Sequence, residues 1–185
     1  TPIVTMNRPG AGGAIAAQQV AGMAPDGLNL LVGGGSESTS LAAFRDLPYD
    51  PKRSFRAILR ITRQPLLIVA KRGGRIDSIP AMVAAAKASP GAVTHASSGI
   101  GSIYHAVFVL LTAKAGIEML HVPFSGGAPS LQALLAGTVD LAVLAPEETG
   151  GMVQSGEIRA LAVCSAERIP ILPNVPTLRE TGIDV

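Results

Sequence analysis

Residues 92–122 begin Ala92-Val93-Thr94-His95-Ala96 and turn through Ser97-Ser98-Gly99-Ile100-Gly101-Ser102. They continue with a helical pattern to Ala115-Gly116 and end on the apolar run from Glu118 to Val122. A short apolar run, a small-residue turn, a helix and a second short run make a strand–helix–strand unit. Two strands joined by a helical crossover pair in parallel. The same alternation extends outward from this unit. Leu28–Val32, Ala57–Ile61, Leu66–Ala70, Val139–Val143 and Arg159–Val163 read as further strands, several apolar on both faces as in a buried sheet. Helical patterns cover Gly13–Ala24, Ser78–Ala88, Ser102–Ala115, Pro129–Ala136 and Glu147–Ser155, the last interrupted by Gly150-Gly151. Ser78 is a natural amino-terminal cap, and Gly116, Gly137 and Gly156 stand where carboxy-terminal caps belong. The pattern predicts an α/β fold with mainly parallel sheets flanked by helices.

Composition bounds the function. The 185 residues are 48% hydrophobic and 15% charged, enough to bury a core and too apolar for a disordered chain. With 3% aromatics and no Trp, that core is built from Ala, Val, Leu and Ile. The 21 glycines and 14 prolines follow no collagen-like period and imply many turns. No apolar run reaches the ~20 residues of a membrane span. Net charge is +2, and nine of the fifteen Lys/Arg fall in residues 45–75. No aromatics interleave there for base stacking, so a solvated surface is expected and no nucleic-acid partner. Cys164, the single cysteine, excludes an internal disulfide and reads as a small buried apolar residue.

Three strand-to-helix junctions are rich in Gly and Ser: Gly33–Ser38, Ser97–Ser102 and Ser125–Gly127. Ligands of open α/β sheets bind beyond the carboxyl ends of strands. Helix amino termini there offer backbone N–H groups and partial positive charge, and small residues let an anion approach. A carboxylate or phosphate ligand is one reading; tight turns alone are the other. Tests for chemistry fail. Gly10-Ala11-Gly12-Gly13-Ala14-Ile15 lacks the third glycine of a dinucleotide fingerprint, and neither a phosphate loop nor a nucleophile elbow is present. His95, His105 and His121 share no metal-ligand spacing, so no metal or other cofactor is expected. Glu147 and Glu148 are adjacent and read as a solvated helix start. Ser98 or Ser102 would serve as a hydrolase nucleophile only with a positioned base, for which His105 is a weak candidate.

Several signatures in order carry a family resemblance. They are Asn7-Arg8-Pro9-Gly10-Ala11-Gly12-Gly13, Ala24-Pro25-Asp26-Gly27, Leu47-Pro48-Tyr49-Asp50-Pro51 and Ser97-Ser98-Gly99-Ile100-Gly101-Ser102 with His105. His121-Val122-Pro123-Phe124-Ser125-Gly126-Gly127-Ala128-Pro129, Gly137-Thr138-Val139-Asp140, Arg159–Val163 and Leu172-Pro173-Asn174-Val175-Pro176-Thr177 follow. From Ile3 to Ile183 the chain resembles the Bug/TctC-type periplasmic solute receptors of tripartite tricarboxylate transporters. The resemblance implies a two-lobed, periplasmic-binding-protein-like fold of type II. Residues 1–70 with 165–185 would form a first lobe, incomplete here, and 71–164 the second. It implies a non-catalytic, periplasmic receptor that captures a small carboxylate by lobe closure and delivers it to the transporter's membrane components.

Carried over position by position, the ligand-binding residues would be Ser97, Ser98, Gly99, Gly101 and Ser102, with Gly34, Gly35 and Ser36 from the first lobe and Phe124 and Gly126 as further members. Asn7 and Gly10–Gly13 are expected to be structural. Departures refine this expectation. Leu144 stands where the family often has an Asp for a ligand amine, which argues against an aspartate-like ligand. Glu37 would repel a carboxylate and is expected to face solvent. Relative to the family, the chain is expected to lack an export signal, an opening strand and loop, and a closing portion. Exposed sheet edges would then favour oligomers. The alternatives are a remnant that keeps the fold without binding, and an effector-sensing domain of a regulator.

Overall fold

The computed structural model describes residues 2–8, 10–149 and 151–184. Pro9 of the first signature and Gly150 of the glycine pair lie outside the described residues. The described chain divides into two compact units. One runs up to Ile61 and includes Gly101–Ile103; the other comprises Thr62–Ile100 and the chain from Tyr104 onward.

The larger unit is built on a five-stranded sheet ordered β3-β2-β4-β1-β5. Its strands are β1 (Leu66–Lys71), β2 (Thr94–Ser97), β3 (Leu120–Pro123), β4 (Leu141–Leu144) and β5 (Ile158–Cys164). β2 pairs in parallel with β3 and β4, whereas β1 lies antiparallel between β4 and β5. Four strands therefore share a direction and β1 alone opposes them. The parallel part is the strand–helix–strand unit read from residues 92–122, in the register His95↔His121 and Ser97↔Pro123. Helices α3 (Ile103–Ala115, whose first residue falls to the other unit) and α4 (Gly127–Ala136) supply the crossovers between parallel strands, and α2 (Ile79–Ala88) links β1 to the oppositely directed β2.

Local chemistry places these elements. The Ser78 hydroxyl accepts the Ala81 amide, capping α2, with Pro80 in its first turn. Gly137, in the left-handed conformation, closes α4. β1 is a run of apolar residues because both its faces and both its edges are covered. Leu67, Ile68 and Val69 are completely buried. Each such side chain contributes ~1.5–3 kcal/mol of burial free energy. The core gathers Leu67, Val69, Leu134, Ala142, Leu144 and Val163. At the amino ends of the strands Arg75 clasps Asp140 through Nε at 2.7 Å and Nη2 at 2.6 Å. The Thr94 amide and hydroxyl donate to the same carboxylate. Burial opposes ionisation of Asp140, but the bonds from Arg75 and Thr94 outweigh it and hold the carboxyl below its usual range. The Gly137–Asp140 signature is thus a fastening at the end of the sheet opposite the small-residue loops. The Leu172–Thr177 signature docks the closing segment onto β5, with the Val163 amide donating to the Pro176 carbonyl and Val163 bridging Thr177.

The smaller unit holds α1 (Ala14–Ala21) and a core of Ala14, Ala17, Leu41 and Tyr49. Tyr49 of the third signature is buried, and its hydroxyl donates to the Glu37 carbonyl at 2.8 Å. Residues 10–13 all have positive φ, including Ala11 at 52°. An added Cβ on Gly13 would sit 3.2 Å from the Glu37 Cβ. This agrees with the structural role expected for the glycine run, a turn and a close approach.

Two expected strands, Leu28–Val32 and Ala57–Ile61, are not strands. Leu28 is 81% and Ile58 78% exposed. An extended segment becomes a strand only when a neighbour takes its N–H and C=O groups, and no such neighbour exists among the described residues. The helix expected over Glu147–Ser155 splits into two single turns, α5 (Pro146–Thr149) and α6 (Met152–Ser155), because glycine disfavours helix between them. The segment after β5 packs within the larger unit.

Leu67→Ala is expected to lower the unfolding free energy by about 2–5 kcal/mol. The urea midpoint at unchanged slope reads this out; a loss under about 1 kcal/mol would contradict the central role of β1.

Candidate functional site

At the carboxyl ends of the parallel strands the chain turns through its small-residue loops. Ser97, the last residue of β2, is completely buried. Its carbonyl accepts the Phe124 amide at 3.0 Å and the Ser130 hydroxyl at 3.0 Å. Its hydroxyl lies 2.7 Å from His121 Nε2 and accepts the Gly99 amide at 3.2 Å. Ser97, Gly99, Phe124 and the loop to Gly126 are therefore brought together within the larger unit. Gly126 precedes α4, and its carbonyl accepts the Ser130 hydroxyl at 2.9 Å. Ser98 is half-buried and sits at the turn itself.

The other expected ligand residues belong to the smaller unit. Gly101 has φ +79°, and an added Cβ would approach Leu41 Cδ2 to 2.9 Å, so only glycine fits there. The Gly101 carbonyl accepts the Ser40 hydroxyl at 2.7 Å. Ser102 is buried. The Ser36 hydroxyl accepts the Ile103 amide at 3.0 Å, satisfying the first N–H of α3. Gly34 and Gly35 offer their amides, at 2.7 and 3.2 Å, to the carboxylate of Glu37.

That last arrangement corrects an expectation. Glu37 does not face solvent; it is 7% exposed and folds back over its own glycine loop. The Ser38 hydroxyl adds a third donor at 3.1 Å. Charge-assisted bonds to amides offset the cost of burying the carboxylate. Glu148 is a second correction. Glu147 is exposed, as a solvated helix start should be, but Glu148 is half-buried. Its carboxylate accepts the Ala145 amide at 2.7 Å and the Tyr104 hydroxyl at 3.1 Å, and it occupies the space a Cβ on Gly127 would need. Burial first, then Glu148, raises the Tyr104 phenol, which stays protonated as a donor. One signal was available for both glutamates. Each stands three residues after the amide it accepts, the spacing of a capping box. Thr177 and Glu180 show the full reciprocal form.

The three histidines, unrelated by spacing, stack beneath the β2 loop. His105 and His121 are 4.0 Å apart at their ring centroids, His95 and His121 4.9 Å, and His95 lies 4.1 Å from Phe108. Register pairs His95 with His121, and α3 carries His105 over them. Burial, followed by the neighbouring imidazoles, pushes His95 down to about 3 and His121 to about 4. These rings are neutral near neutral pH, and His121 Nε2 is engaged by the Ser97 hydroxyl. Burial likewise pushes the half-buried Cys164 thiol up to about 12, leaving it unreactive. Leu144 is completely buried in the sheet core.

Each unit, taken by itself, thus holds serine and glycine backbone turns whose amides and hydroxyls are directed at acceptors. The whole chain, residues 1–185, matches the model of the tripartite tricarboxylate transporter family receptor, and it belongs to that family. It is 32% identical over 183 residues to the protein BugT of Bordetella pertussis, covering 98% of this chain and 56% of that one. Among solved structures it resembles MatC from Rhodopseudomonas palustris with bound malate, at 32% identity and TM-score 0.81, covering 94% of this chain and 60% of that one. It also resembles an R. palustris protein solved with adipate, at 31% identity and TM-score 0.79, covering 92% and 57%. The chain therefore spans little more than half the length of the relatives it matches. The expected α/β fold and the resemblance to Bug/TctC receptors agree with these findings.

The histidine stack sets a pH dependence. Between the ordinary imidazole value of 6.5 and about 4, the unfolded chain binds protons that folded His95 and His121 refuse. Unfolding free energy should therefore fall as pH drops through that window. Asp140, held below its usual range, adds its own loss at lower pH. His95→Phe should flatten the slope and keep the fold, because it also removes a buried Nδ1 that has no hydrogen-bond partner. Urea unfolding at stepped pH checks this; an unchanged slope would show that the stack does not titrate on unfolding.

Proposed function

We propose that the chain is the ligand-binding body of an extracytoplasmic receptor that captures a small carboxylate for a tripartite tricarboxylate-type transporter. The observation carrying this reading is the family match over all 185 residues, joined to the Ser97–Ser102 turn that leads into α3. Backbone amides and hydroxyls there bind a carboxylate by hydrogen bonding and helix polarity. The receptor acts by closure of its two lobes, in the periplasm, and hands its ligand to the transporter's membrane components. Residues 1–70 with 165–185, and 71–164, are the proposed lobes. No helix among the described residues is long and apolar enough to cross a membrane, which is compatible with that role. The neighbours solved with malate and with adipate support a carboxylate ligand. Leu144 offers no carboxylate to a ligand amine, which favours a ligand other than an aspartate-like one.

A second reading, a chain that keeps the fold and has lost binding, is favoured by one observation: Glu37 already engages the amides of Gly34 and Gly35. Calorimetry with mono-, di- and tricarboxylates and aromatic acids separates the two. The receptor reading expects saturable binding of at least one acid, weakened about tenfold or more by Ser98→Ala, the loss of one charge-assisted hydrogen bond. No binding at millimolar ligand by a protein that melts cooperatively would establish the second reading instead.

A further inference from the structure

Glu37 stands out among the carboxylates of the chain. It is buried in a glycine loop and satisfied by two backbone amides and a hydroxyl, and so occupies the donors of that loop. The same two amides belong to Gly34 and Gly35, which the family resemblance assigns to the ligand. We infer that Glu37 is a resident carboxylate that determines specificity, so that the receptor takes a carboxylate whose far end is neutral or positively charged and rejects one whose far end is a second carboxylate. This rests on the receptor reading and adds the substrate class to it.

The argument is one of supply and charge. An N–H group makes one good hydrogen bond, and those of Gly34 and Gly35 are both directed at Glu37 Oε1. A ligand carboxylate reaching the loop would have to displace Glu37 or lie against it. Displacement strips a buried carboxylate of three donors, and contact sets two like charges within a few ångströms of each other. The loop also resists rearrangement. An added Cβ at Gly33 would lie 2.5 Å from Glu37 Oε1, and one at Gly13 would lie 3.0 Å from Oε2, so the carboxylate is enclosed by backbone on both sides. The Tyr49 hydroxyl holds the Glu37 carbonyl, fixing the residue from beneath. A far end that carries an ammonium or a hydroxyl gains an acceptor here, and a methyl end is tolerated.

The test uses three probes that share one carboxylate and a six-carbon length: hexanoate, its ω-amino analogue, and adipate. Their far ends are neutral, positive and negative. Calorimetry on the native protein and on Glu37→Gln measures each. Native protein is expected to bind adipate at least about tenfold more weakly than hexanoate, and the ω-amino acid at least as tightly as hexanoate. Glu37→Gln is expected to improve adipate about tenfold relative to hexanoate and to remove any advantage of the ω-amino acid. If native protein binds adipate as tightly as hexanoate, the receptor reading stands and the role of Glu37 is overturned. If the substitution moves all three probes equally, the role is overturned as well. If native protein binds none of the three, nor any acid of the wider panel, the receptor reading fails and the inference falls with it. Should Glu37→Gln not fold, judged by circular dichroism, the order of the three probes on native protein decides alone.

Discussion

Ser97 is buried where three elements must stop, and its hydrogen bonds hold them there. Its carbonyl fixes the chain leaving β3 through Phe124 and the start of α4 through Ser130. Its hydroxyl fixes β3 through His121 and its own loop through Gly99. A buried polar residue with every bond made is rigid, and a half-satisfied one is costly. The loop after β2 is therefore anchored at one end by Ser97, and the register His95↔His121 that builds the histidine stack is anchored by the same residue. The neutral state of that stack follows, since a protonated His121 would be charged against its two ring neighbours in a buried place.

The second organising feature is competition for backbone amides. Turns at strand ends expose N–H groups, and the chain spends some of them on its own carboxylates. Glu37 takes those of Gly34 and Gly35, and Glu148 takes that of Ala145 beside the Tyr104 hydroxyl. Each internal carboxylate fixes its loop in place of a bound anion.

Much of the fold was legible because local signals were strong. Ser78, Gly116 and Gly137 mark helix ends by cap chemistry, and the uninterrupted apolar run of β1 reports burial on both faces. The segments 28–32 and 57–61 misled because apolar β-type composition states a preference, whereas a strand is a pairing, and pairing partners are not local. The ordered Ser/Gly signatures located the loops, and the resemblance they carry named the family. The loops' internal wiring was less legible. Glu37 looks solvent-bound in sequence because a charged residue among small ones has no visible partner. Its partners are amides, which every residue carries and which only the turn geometry aims. The histidines show the converse: three residues without common spacing meet because parallel register and one helix bring them together.

An amide-resolved NMR titration with the tightest-binding carboxylate tests the central claim, that ligand carboxylate is held by the turn leading into α3. The account predicts that the amides of Ser98, Gly99, Gly101 and Ser102 shift together and saturate at the dissociation constant found by calorimetry. A saturable shift confined to residues elsewhere, with these four unmoved, would contradict it.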